Sequence, residues 1–345
     1  MMESNSPKKK TSTIKEVALM AGVSIGTVSR FINGYKVKER NRVAIQNAIE
    51  TLDYTVDFIA KSMKTKNSST IGLLVSGFDQ FSSGVIANMS QILRSQNYTL
   101  ITLHHNDDIS IFQEAFDFFR NRNMDAIAMA NGRYELAPIT KFLELGKPVV
   151  VFNNDIEELP IDKVFVDDHK AMYRAVSYLL QMGHRRIGFI TGKLDESSAA
   201  KRFEGYKAAL RDAHIDIDPS LIMQGSWTPE SGYQAMKNFT TKKLSITALV
   251  SSNYPMTMGA MQALKELGIS IPDDLSLITY DDPPFLTLYT PPITAIAQPI
   301  DKIAYYTSSY ILDRLHGEYT GKGRTVLLEA DLIIRDSVKN LNTRP

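Results

Sequence analysis

The chain has 345 residues, of which 43% are hydrophobic and 22% are charged, and it contains no cysteine. This length suits two or three domains better than one core, and the missing cysteine excludes disulfides, thiolate metal sites and cysteine nucleophiles. No apolar run reaches the roughly 18 residues that span a bilayer. The basic start MMESNSPKKKTST lacks the apolar stretch of an export signal, so a cytoplasmic protein is expected.

The formal net charge of +1 hides an uneven distribution along the chain. Residues 1–66 hold twelve Lys or Arg and six acidic residues, a balance of +6, which leaves −5 for the remaining residues. A basic head on a mildly acidic body is typical of a nucleic-acid contact module. A solvated basic tail gives the same balance, and charge alone does not choose between the two.

The first predicted element is a short helix. Thr13 and Glu16 have capping-box spacing, so the helix is expected to begin at Ile14. Gly22 supplies the left-handed residue that ends it. The predicted inward face comprises Ile14, Val17, Ala18 and Ala21.

Two further helices are predicted after the turn at Gly22. Ser24 is placed to cap a helix over about residues 25–32, with Val28 facing inward and Asn33-Gly34 closing it. The third helix has an apolar stripe formed by Ile45, Ala48, Ile49 and Leu52. This arrangement predicts a helix-turn-helix whose second helix enters the major groove of DNA. A plain three-helix bundle is the alternative that periodicity leaves open.

Two segments resemble a known family. The runs TIKEVALMAGVSIGTVSRFING and YTVDFIAKSMKTKNSSTIGLLV closely resemble the start of the lac/gal repressor family of bacterial transcription regulators, with A-G-V-S-x-x-T-V-S-R as the specific part. The resemblance implies a small all-α helix-turn-helix domain without a wing, a hinge helix, and a two-lobed α/β effector domain like that of periplasmic binding proteins. The predicted limits are residues 11–55, 56–69 and 70–340.

The resemblance also implies which residues contact DNA. Ile25, Gly26 and Arg30 take the base-reading positions, whereas Thr27 and Ser29 sit where phosphates or base edges are contacted. Arg30 can form a bidentate pair with guanine, and Ile25 can touch a thymine methyl. The full predicted DNA-binding set is Thr13, Ser24, Ile25, Gly26, Thr27, Ser29, Arg30, Asn33 and Met63.

The predicted hinge departs from the family pattern at two positions. Val56 stands where many members have Pro, and Met63 stands where most have the Leu that wedges into the minor groove. Met63 is flexible and apolar, so it can still kink a base step; packing against the partner hinge helix is the alternative. Asp57 can cap a helix over residues 58–64, which is too short to be stable without DNA and a second hinge helix.

From Thr70 onward, β-rich runs alternate with amphipathic helical stretches. The runs are IGLLVS, YTLITLH, MDAIAMA, PVVVFN, RIGFITG, TALVSSN and LSLITYD. The alternation predicts parallel sheets with helices on both faces, forming two lobes with a ligand cleft at the carboxyl ends of the strands. The family resemblance extends through this part, including HKAMYRAVSYLLQMGHRRIGFITG and KRFEGYKAAL.

The resemblance implies a set of effector contacts in that cleft. Arg202 matches an arginine that reaches hydroxyl or carboxylate groups, Asn253 matches a ligand-binding asparagine, and Asp281 matches a carboxylate that holds sugar hydroxyls. Trp227 lies where an aromatic ring stacks on the ligand. Taken singly, Arg202 also fits a surface ion pair, Asp281 a helix cap and Trp227 plain core. The full predicted set is Ser76, Phe81, Asn153, Arg202, Trp227, Asn253 and Asp281.

Two substitutions relative to the family pattern bear on the ligand. Asn153 replaces the usual Asp, and Tyr254 replaces the Asp common after the ligand-binding asparagine. Both changes indicate a ligand that differs from the best-known sugars.

These patterns predict a sequence-specific repressor of a sugar-utilisation operon, controlled by a sugar or sugar derivative in the cleft. It is expected to act as a homodimer on an approximately palindromic double-stranded operator at the nucleoid, with no cofactor, metal or membrane partner. No heptad pattern follows RDSVKNLN, so a coiled-coil tetramer is not expected.

Two alternatives come from other classes of protein. A transport solute-binding protein shares the two-lobed domain but has an export signal and no basic head. A cytosolic α/β enzyme would need a catalytic motif, and the sequence has no P-loop, no G-x-G-x-x-G after a strand, no G-x-S-x-G and no metal-spaced histidines. No catalytic residue is therefore predicted.

Overall fold

The computed structural model describes residues 12–32, 34–54, 67–130, 135–156 and 158–342. The chain divides into two compact units, residues 1–68 and 69–345. The predictions for Asn33, for Val56, Asp57 and Met63, and for a hinge helix over residues 58–64 lie outside the described residues.

The amino-terminal unit contains three helices, α1 (Ile14–Met20), α2 (Ile25–Ile32) and α3 (Glu39–Thr51). The predicted starts of α1 and α2 are confirmed. The apolar faces of the three helices meet in one small core, formed by Val17, Ala18, Val28, Ile45 and Ala48.

The two ends of α1 show why the sequence forms a helix and a turn here. Thr13 caps the first turn, since its backbone N–H donates to Glu16 Oε2 at 2.6 Å and its hydroxyl accepts from the Glu16 backbone N–H at 3.4 Å. Gly22 has φ +63°, and its N–H donates to the Leu19 carbonyl, while the Val23 N–H donates to the Ala18 carbonyl. This is the Schellman geometry that ends a helix at a left-handed residue, so the predicted role of Gly22 is confirmed.

The larger unit contains two six-stranded sheets. The first sheet has the order β11-β5-β4-β3-β1-β2, and all its neighbouring strands are parallel. Its strands are β1 (Thr70–Val75), β2 (Thr99–His104), β3 (Ala126–Ala130), β4 (Val149–Phe152), β5 (Asp162–Val166) and β11 (Thr325–Leu328).

The second sheet has the order β12-β10-β9-β8-β6-β7 and is parallel except for the antiparallel pair β10–β12. Its strands are β6 (Ile187–Thr191), β7 (Ile222–Gln224), β8 (Ala248–Ser251), β9 (Ser276–Tyr280), β10 (Thr294–Ala297) and β12 (Asp331–Ile333).

Helices cover both faces of each sheet, which confirms the predicted α/β class. The first lobe has α4 (Gln80–Ser95), α5 (Ile109–Asn121), α6 (Leu136–Leu143) and α11 (Ile300–Leu315). The second lobe has α7 (Asp168–Gln181), α8 (Ser197–Asp212), α9 (Pro229–Thr241) and α10 (Tyr254–Leu267), with 3₁₀ turns at Pro219–Leu221 and Pro284–Leu288. Successive strand residues face opposite layers, since Ile71 and Leu73 pack in one core cluster and Leu74 in another.

The chain passes between the two lobes at three places. These are the links from β5 to α7, from β10 to α11 and from β11 to β12, because β11 pairs with β5 whereas β12 pairs with β10. Three crossings close together place the carboxyl ends of the parallel strands of both sheets around one cleft.

Candidate functional site

The outward face of α2 carries the residues predicted to read DNA bases. Val28 is fully buried, whereas Ile25 is 45% exposed and Gly26 and Arg30 are also exposed. Arg30 is exposed on α2, and no ion pair joins it to another described residue, so its guanidinium is accessible. Such a face can present an apolar contact and a guanidinium fork to base edges.

The predicted polar contacts of this unit sit at the helix starts. Ser24 caps α2, because its hydroxyl accepts from the Thr27 backbone N–H at 3.2 Å and lies 2.9 Å from the Thr27 hydroxyl. Thr13 caps α1 in the same way. Ser29 is partly buried on α2. A helix start with exposed hydroxyls and N–H groups is suited to a phosphate.

A cavity of about 330 Å³ lies in the cleft of the larger unit. All seven residues predicted to contact an effector line it, and they come from both lobes. The lining residues are Ser76, Gly77, Asp79, Phe81, Asn106, Asp107, Asn153, Glu196, Ser198, Arg202, Trp227, Thr228, Asn253, Asp281 and Gln298. A cavity of this size is within the range of small-molecule sites.

Arg202 is held from beneath the cavity. Its Nε donates to Asp168 Oδ1 at 2.7 Å, its Nη1 donates to the Ser252 carbonyl at 2.6 Å, and its guanidinium lies 3.6 Å from the centre of the Tyr280 ring. The side chain is only 5% exposed, so the alternative of a surface ion pair is wrong. Burial alone would lower the pKa of Arg202, but Asp168, Tyr280 and Asp281 together outweigh it and keep the pKa above its usual value.

Asp281 follows β9 and links the cavity to α10. Its Oδ2 accepts from the Tyr254 backbone N–H at 3.3 Å, at the start of α10, and its Oδ1 accepts from Gln298 Nε2 at 2.6 Å. Burial raises the pKa of Asp281 to about 6, with Asp79 adding to the rise and Arg202 opposing it. Asp281 therefore combines a helix-end contact with a place on the cavity wall.

Asn253 is the N-cap of α10. Its Oδ1 accepts from the Met256 backbone N–H at 2.9 Å, and its Nδ2 donates to the Trp227 carbonyl at 3.0 Å. The amide thereby fixes Trp227, whose backbone has φ +67°. One amide hydrogen of Asn253 remains for a ligand.

Trp227 and Glu196 form the second wall of the cavity. The indole Nε1 donates to Glu196 Oε2 at 3.1 Å, and the same oxygen accepts from Asn154 Nδ2 at 3.4 Å. Glu196 is only 8% exposed, and burial raises its pKa, with the Trp227 hydrogen bond opposing the rise.

The first lobe contributes Ser76, Phe81 and Asn153. Ser76 follows β1, Phe81 is 4% exposed in the first turn of α4, and Asn153 follows β4 with φ +70°. Each lies at the carboxyl end of a strand or at the start of the next helix, where the parallel topology gathers polar groups.

Contacts between the lobes close the cleft in this structure. Asn154 Oδ1 accepts from the Ser198 backbone N–H and from the Ser197 hydroxyl, both at 3.2 Å. Lys193 of the second lobe also forms an ion pair with Asp107 of the first. The two lobes are thus linked by polar contacts beside the cavity.

Sequence reasoning missed several lining residues, among them Asp79, Asn106, Asp107, Glu196 and Gln298. The signal that finds the first four is position, because each lies within a few residues of the end of a parallel strand. Gln298 follows β10 at a crossing between lobes, and only the sheet order shows that this crossing borders the cleft.

Two kinds of feature are absent from the described part of the chain. No helix there is long and apolar enough to cross a membrane. No cluster of three acidic or histidine side chains there is arranged to hold a metal ion.

Two family models match the chain. Residues 13–57 match bacterial regulatory proteins of the lacI family, and residues 176–338 match a periplasmic binding protein-like domain. The HTH-type transcriptional repressor PurR of Haemophilus influenzae is 30% identical over 345 residues, with 96% of this chain and 99% of the relative covered. The ribose operon repressor of the same organism is 30% identical over 332 residues, with the same coverage.

Solved structures show the same fold over most of the chain. The complex of the transcriptional regulator CelR with cellobiose has a TM-score of 0.73 at 26% identity and covers 94% of this chain and 99% of its own. A lacI-family regulator from Enterococcus faecium with bound ribose has a TM-score of 0.71 at 25% identity and covers 79% and 100%. The lac repressor dimer bound to operator and the anti-inducer ONPF has a TM-score of 0.84 at 23% identity, with 96% and 100% covered.

A helix-turn-helix unit joined to a two-lobed binding domain is typical of ligand-controlled DNA-binding regulators of bacteria. Within that class, the chain belongs to the lacI family of bacterial regulatory proteins. It is a DNA-binding transcriptional repressor with a ligand-binding effector domain. Its relatives are repressors, which confirms the prediction that it is not an enzyme.

Proposed function

We propose that this chain is a homodimeric repressor of a sugar-utilisation operon, with its DNA affinity set by a sugar or sugar derivative in the 330 Å³ cavity. The observation that carries the proposal is the cavity wall. Of its fifteen lining residues, twelve have polar side chains other than tryptophan, and two, Phe81 and Trp227, are aromatic. Many polar groups around few aromatic rings suit the hydroxyls and the C–H face of a sugar.

The DNA-binding part of the proposal is supported by α2. Its exposed Ile25, Gly26 and Arg30 face outward on a helix whose angle is set by the turn at Gly22. A two-fold dimer would present two such helices to half-sites about one helical turn apart, which is why an approximately palindromic operator is expected. The domain limits 11–55, 56–69 and 70–340 remain a prediction.

The names of two relatives suggest two ligand classes, a purine for PurR and a sugar for the ribose operon repressor. Both relatives are 30% identical to this chain, so identity does not choose between them. A purine is flat and apolar on both faces and needs aromatic or guanidinium planes on each side. The cavity offers few such planes and many hydrogen-bonding groups. We therefore favour the sugar, and keep a purine base as the alternative in any ligand screen.

The proposed control is a linkage between cavity and operator. A ligand that favours the closed lobes changes how the first lobes of a dimer meet, and the DNA affinity changes by the coupling free energy. Such couplings are typically about 1–3 kcal/mol. The protein would work in the cytoplasm, at the nucleoid.

The experiment is selection from random double-stranded oligonucleotides by gel shift. We expect an enriched inverted repeat, and we expect Arg30→Ala to weaken binding to it by about 1–3 kcal/mol with little change on random DNA. Arg211→Ala removes an exposed arginine from α8 and serves as the charge-matched control. Failure to enrich any inverted repeat, with or without added sugars and purines, would overturn the proposal.

A further inference from the structure

The cavity has more acidic groups than cations to balance them. Four carboxylates line it, those of Asp79, Asp107, Glu196 and Asp281, whereas Arg202 is the only cationic lining residue among those described. Asp107 is neutralised by Lys193, and Arg202 forms its ion pair with Asp168 beneath the cavity.

Three carboxylates are left without a cation at ion-pair distance within the described ranges. Asp79 caps α4 by accepting from the Ser82 backbone N–H at 2.7 Å, and Glu196 and Asp281 accept only uncharged donors. Burial raises the pKa of both Glu196 and Asp281. Lys193 and Arg202 favour the charged forms of Glu196 and Asp281 from beyond ion-pair distance, but the cost of burial outweighs them, because buried charge is costly unless it is paired.

The cavity also contains acceptor oxygens without a donor. Gln298 Oε1 is buried in the cleft and accepts no hydrogen bond from any described group. Glu196, 8% exposed, takes both of its side-chain hydrogen bonds on Oε2, which leaves Oε1 as an open acceptor. The cavity wall therefore offers unfilled acceptor oxygens, and a ligand that supplies hydrogen-bond donors would satisfy them.

These observations separate ligand chemistries. A sugar phosphate or sugar acid would add negative charge beside three carboxylates, which Coulomb repulsion opposes. A neutral sugar would supply hydroxyl donors but leave the charge unbalanced. An ammonium group supplies a positive charge and three donors with no acceptor. It therefore balances the carboxylates and also donates to the unfilled acceptor oxygens.

We propose that the effector is a small polyhydroxylated amine, such as an amino sugar, whose ammonium group is recognised by Glu196 with Asp79 and Asp281. The inference rests on the proposed function of the cavity as the effector site. Arg202 and the Asn253 amide then serve the hydroxyls, and Trp227 the C–H face of the ring.

The test is calorimetric titration of the full chain with matched pairs that differ in one amine. The probes are glucosamine and glucose, galactosamine and galactose, mannosamine and mannose, and Tris and pentaerythritol, with N-acetylglucosamine as an uncharged derivative. We expect the amine to bind about tenfold or more tightly than its hydroxyl counterpart in at least one sugar pair. Equal or tighter binding of the uncharged member in every pair, or no binding by any amine, overturns the inference.

Substitutions of the lining carboxylates test which of them bind the ammonium group. Glu196→Gln keeps the size and the Trp227 acceptor and should abolish the preference for the amine. Asp79→Asn keeps the α4 cap, because Asn caps as well as Asp, and should reduce the preference even if Glu196→Gln does not fold. Glu230→Gln makes the same change on an exposed residue of α9 and should leave the preference intact. If both cavity variants keep it, the assignment is wrong.

The outcomes also separate this inference from the proposed function. If the neutral sugar binds as tightly as its amine counterpart, or more tightly, in every pair and changes operator affinity, the proposed function stays in place and the amine is overturned. Absence of both operator selection and ligand binding would overturn the two together.

Discussion

Arg202 Nε and Asp168 Oδ1 lie 2.7 Å apart in a pair whose side chains are 5% and 4% exposed. The same carboxylate oxygen accepts from the Tyr280 hydroxyl at 2.5 Å, and the Tyr280 ring faces the guanidinium. Asp168 stands at the start of α7, directly after the chain crosses from the first lobe. This pair therefore fixes the arginine of the cavity from the side of the second lobe where the chain enters after β5.

Removing Asp168 should cost stability, because it leaves a buried guanidinium without its counterion. We expect Asp168→Ala to lower the free energy of unfolding by about 3–5 kcal/mol. Urea unfolding followed by circular dichroism measures it. The control is Asp117→Ala, which breaks the exposed Arg120–Asp117 pair on α5 and should cost less than about 1 kcal/mol. Equal losses of unfolding free energy in the two variants would show that the buried pair stabilises the fold no more than the exposed pair does.

Asp281 should make stability depend on pH. Its pKa in the folded chain is raised to about 6 by burial, whereas an unfolded Asp has a pKa near 3.9. Between these values the folded state holds a proton that the unfolded state has lost, so stability falls as pH rises from about 4 to about 6. Above about pH 6 the wild type carries the full cost of the buried charge.

Asp281→Asn removes that cost and can keep both hydrogen bonds, since the Gln298 amide can turn its unpaired Oε1 toward the new Nδ2. We expect the variant to melt at a higher temperature than the wild type at about pH 8, and the gap to shrink toward about pH 4. Thermal unfolding without ligand measures this. Asp216→Asn, an exposed change, should give the same difference at both pH values. If the difference in melting temperature between Asp281→Asn and the wild type grew on acidification, the pKa of Asp281 would not be raised in the folded chain.

Two glycines of the amino-terminal unit should respond to alanine with opposite signs. Gly22 has φ +63°, so Gly22→Ala is strained although the space around it is open, and it should destabilise α1 and α2 by about 1 kcal/mol. Gly26 lies inside α2, where an added Cβ would meet Ser24 Oγ at an ordinary 3.7 Å. Gly26→Ala should therefore stabilise the unit by up to about 1 kcal/mol.

Amide hydrogen exchange of the α1 and α2 peptides in the full chain measures both effects, since it reports local opening. Gly22→Ala and Gly26→Ala serve as controls for each other, because each variant adds the same methyl group. Faster exchange in Gly26→Ala than in the wild type would mean that the helix needs glycine there for packing that the structure does not show.

The Lys193–Asp107 pair should contribute modestly to the contact between the lobes. Its side chains are 30% and 31% exposed, so a double-mutant cycle of Lys193→Met and Asp107→Asn should give a coupling of about 0.2–1 kcal/mol in urea unfolding. The coupling should vanish at about 1 M salt, where the Debye length is about 3 Å. A coupling that persists at high salt would indicate a contact other than the ion pair.

The sequence predicted the local elements better than the sheet order. The caps at Thr13 and Ser24 and the turn at Gly22 act over a few residues, so spacing alone located α1 and α2. Seven strands were also found from their apolar runs, although the residues of β2 are exposed or only half-buried. The runs β5, β7, β10, β11 and β12 were missed, since they are short or carry charged residues, and their pairing joins segments far apart in the chain.

The same distinction applies to the cavity. Arg202, Asn253 and Asp281 were predicted from a family resemblance, and all three line the one cavity. Asp168 was not predicted as a partner of Arg202, because 34 residues separate them and no local pattern links them. Glu196 and Asp79 were missed because an acidic residue after a strand is common, and only the three-dimensional structure shows that both face one cavity.

Occupancy of the cavity is proposed to control DNA affinity. The direct measurement is fluorescence anisotropy of the selected operator with the wild type and with Asp281→Ala, in the presence and absence of the tightest-binding probe. We expect the probe to change the wild-type Kd by about fivefold or more, and to leave Asp281→Ala with unchanged operator affinity. A probe that binds the cavity of the wild type without changing its operator Kd would contradict the account.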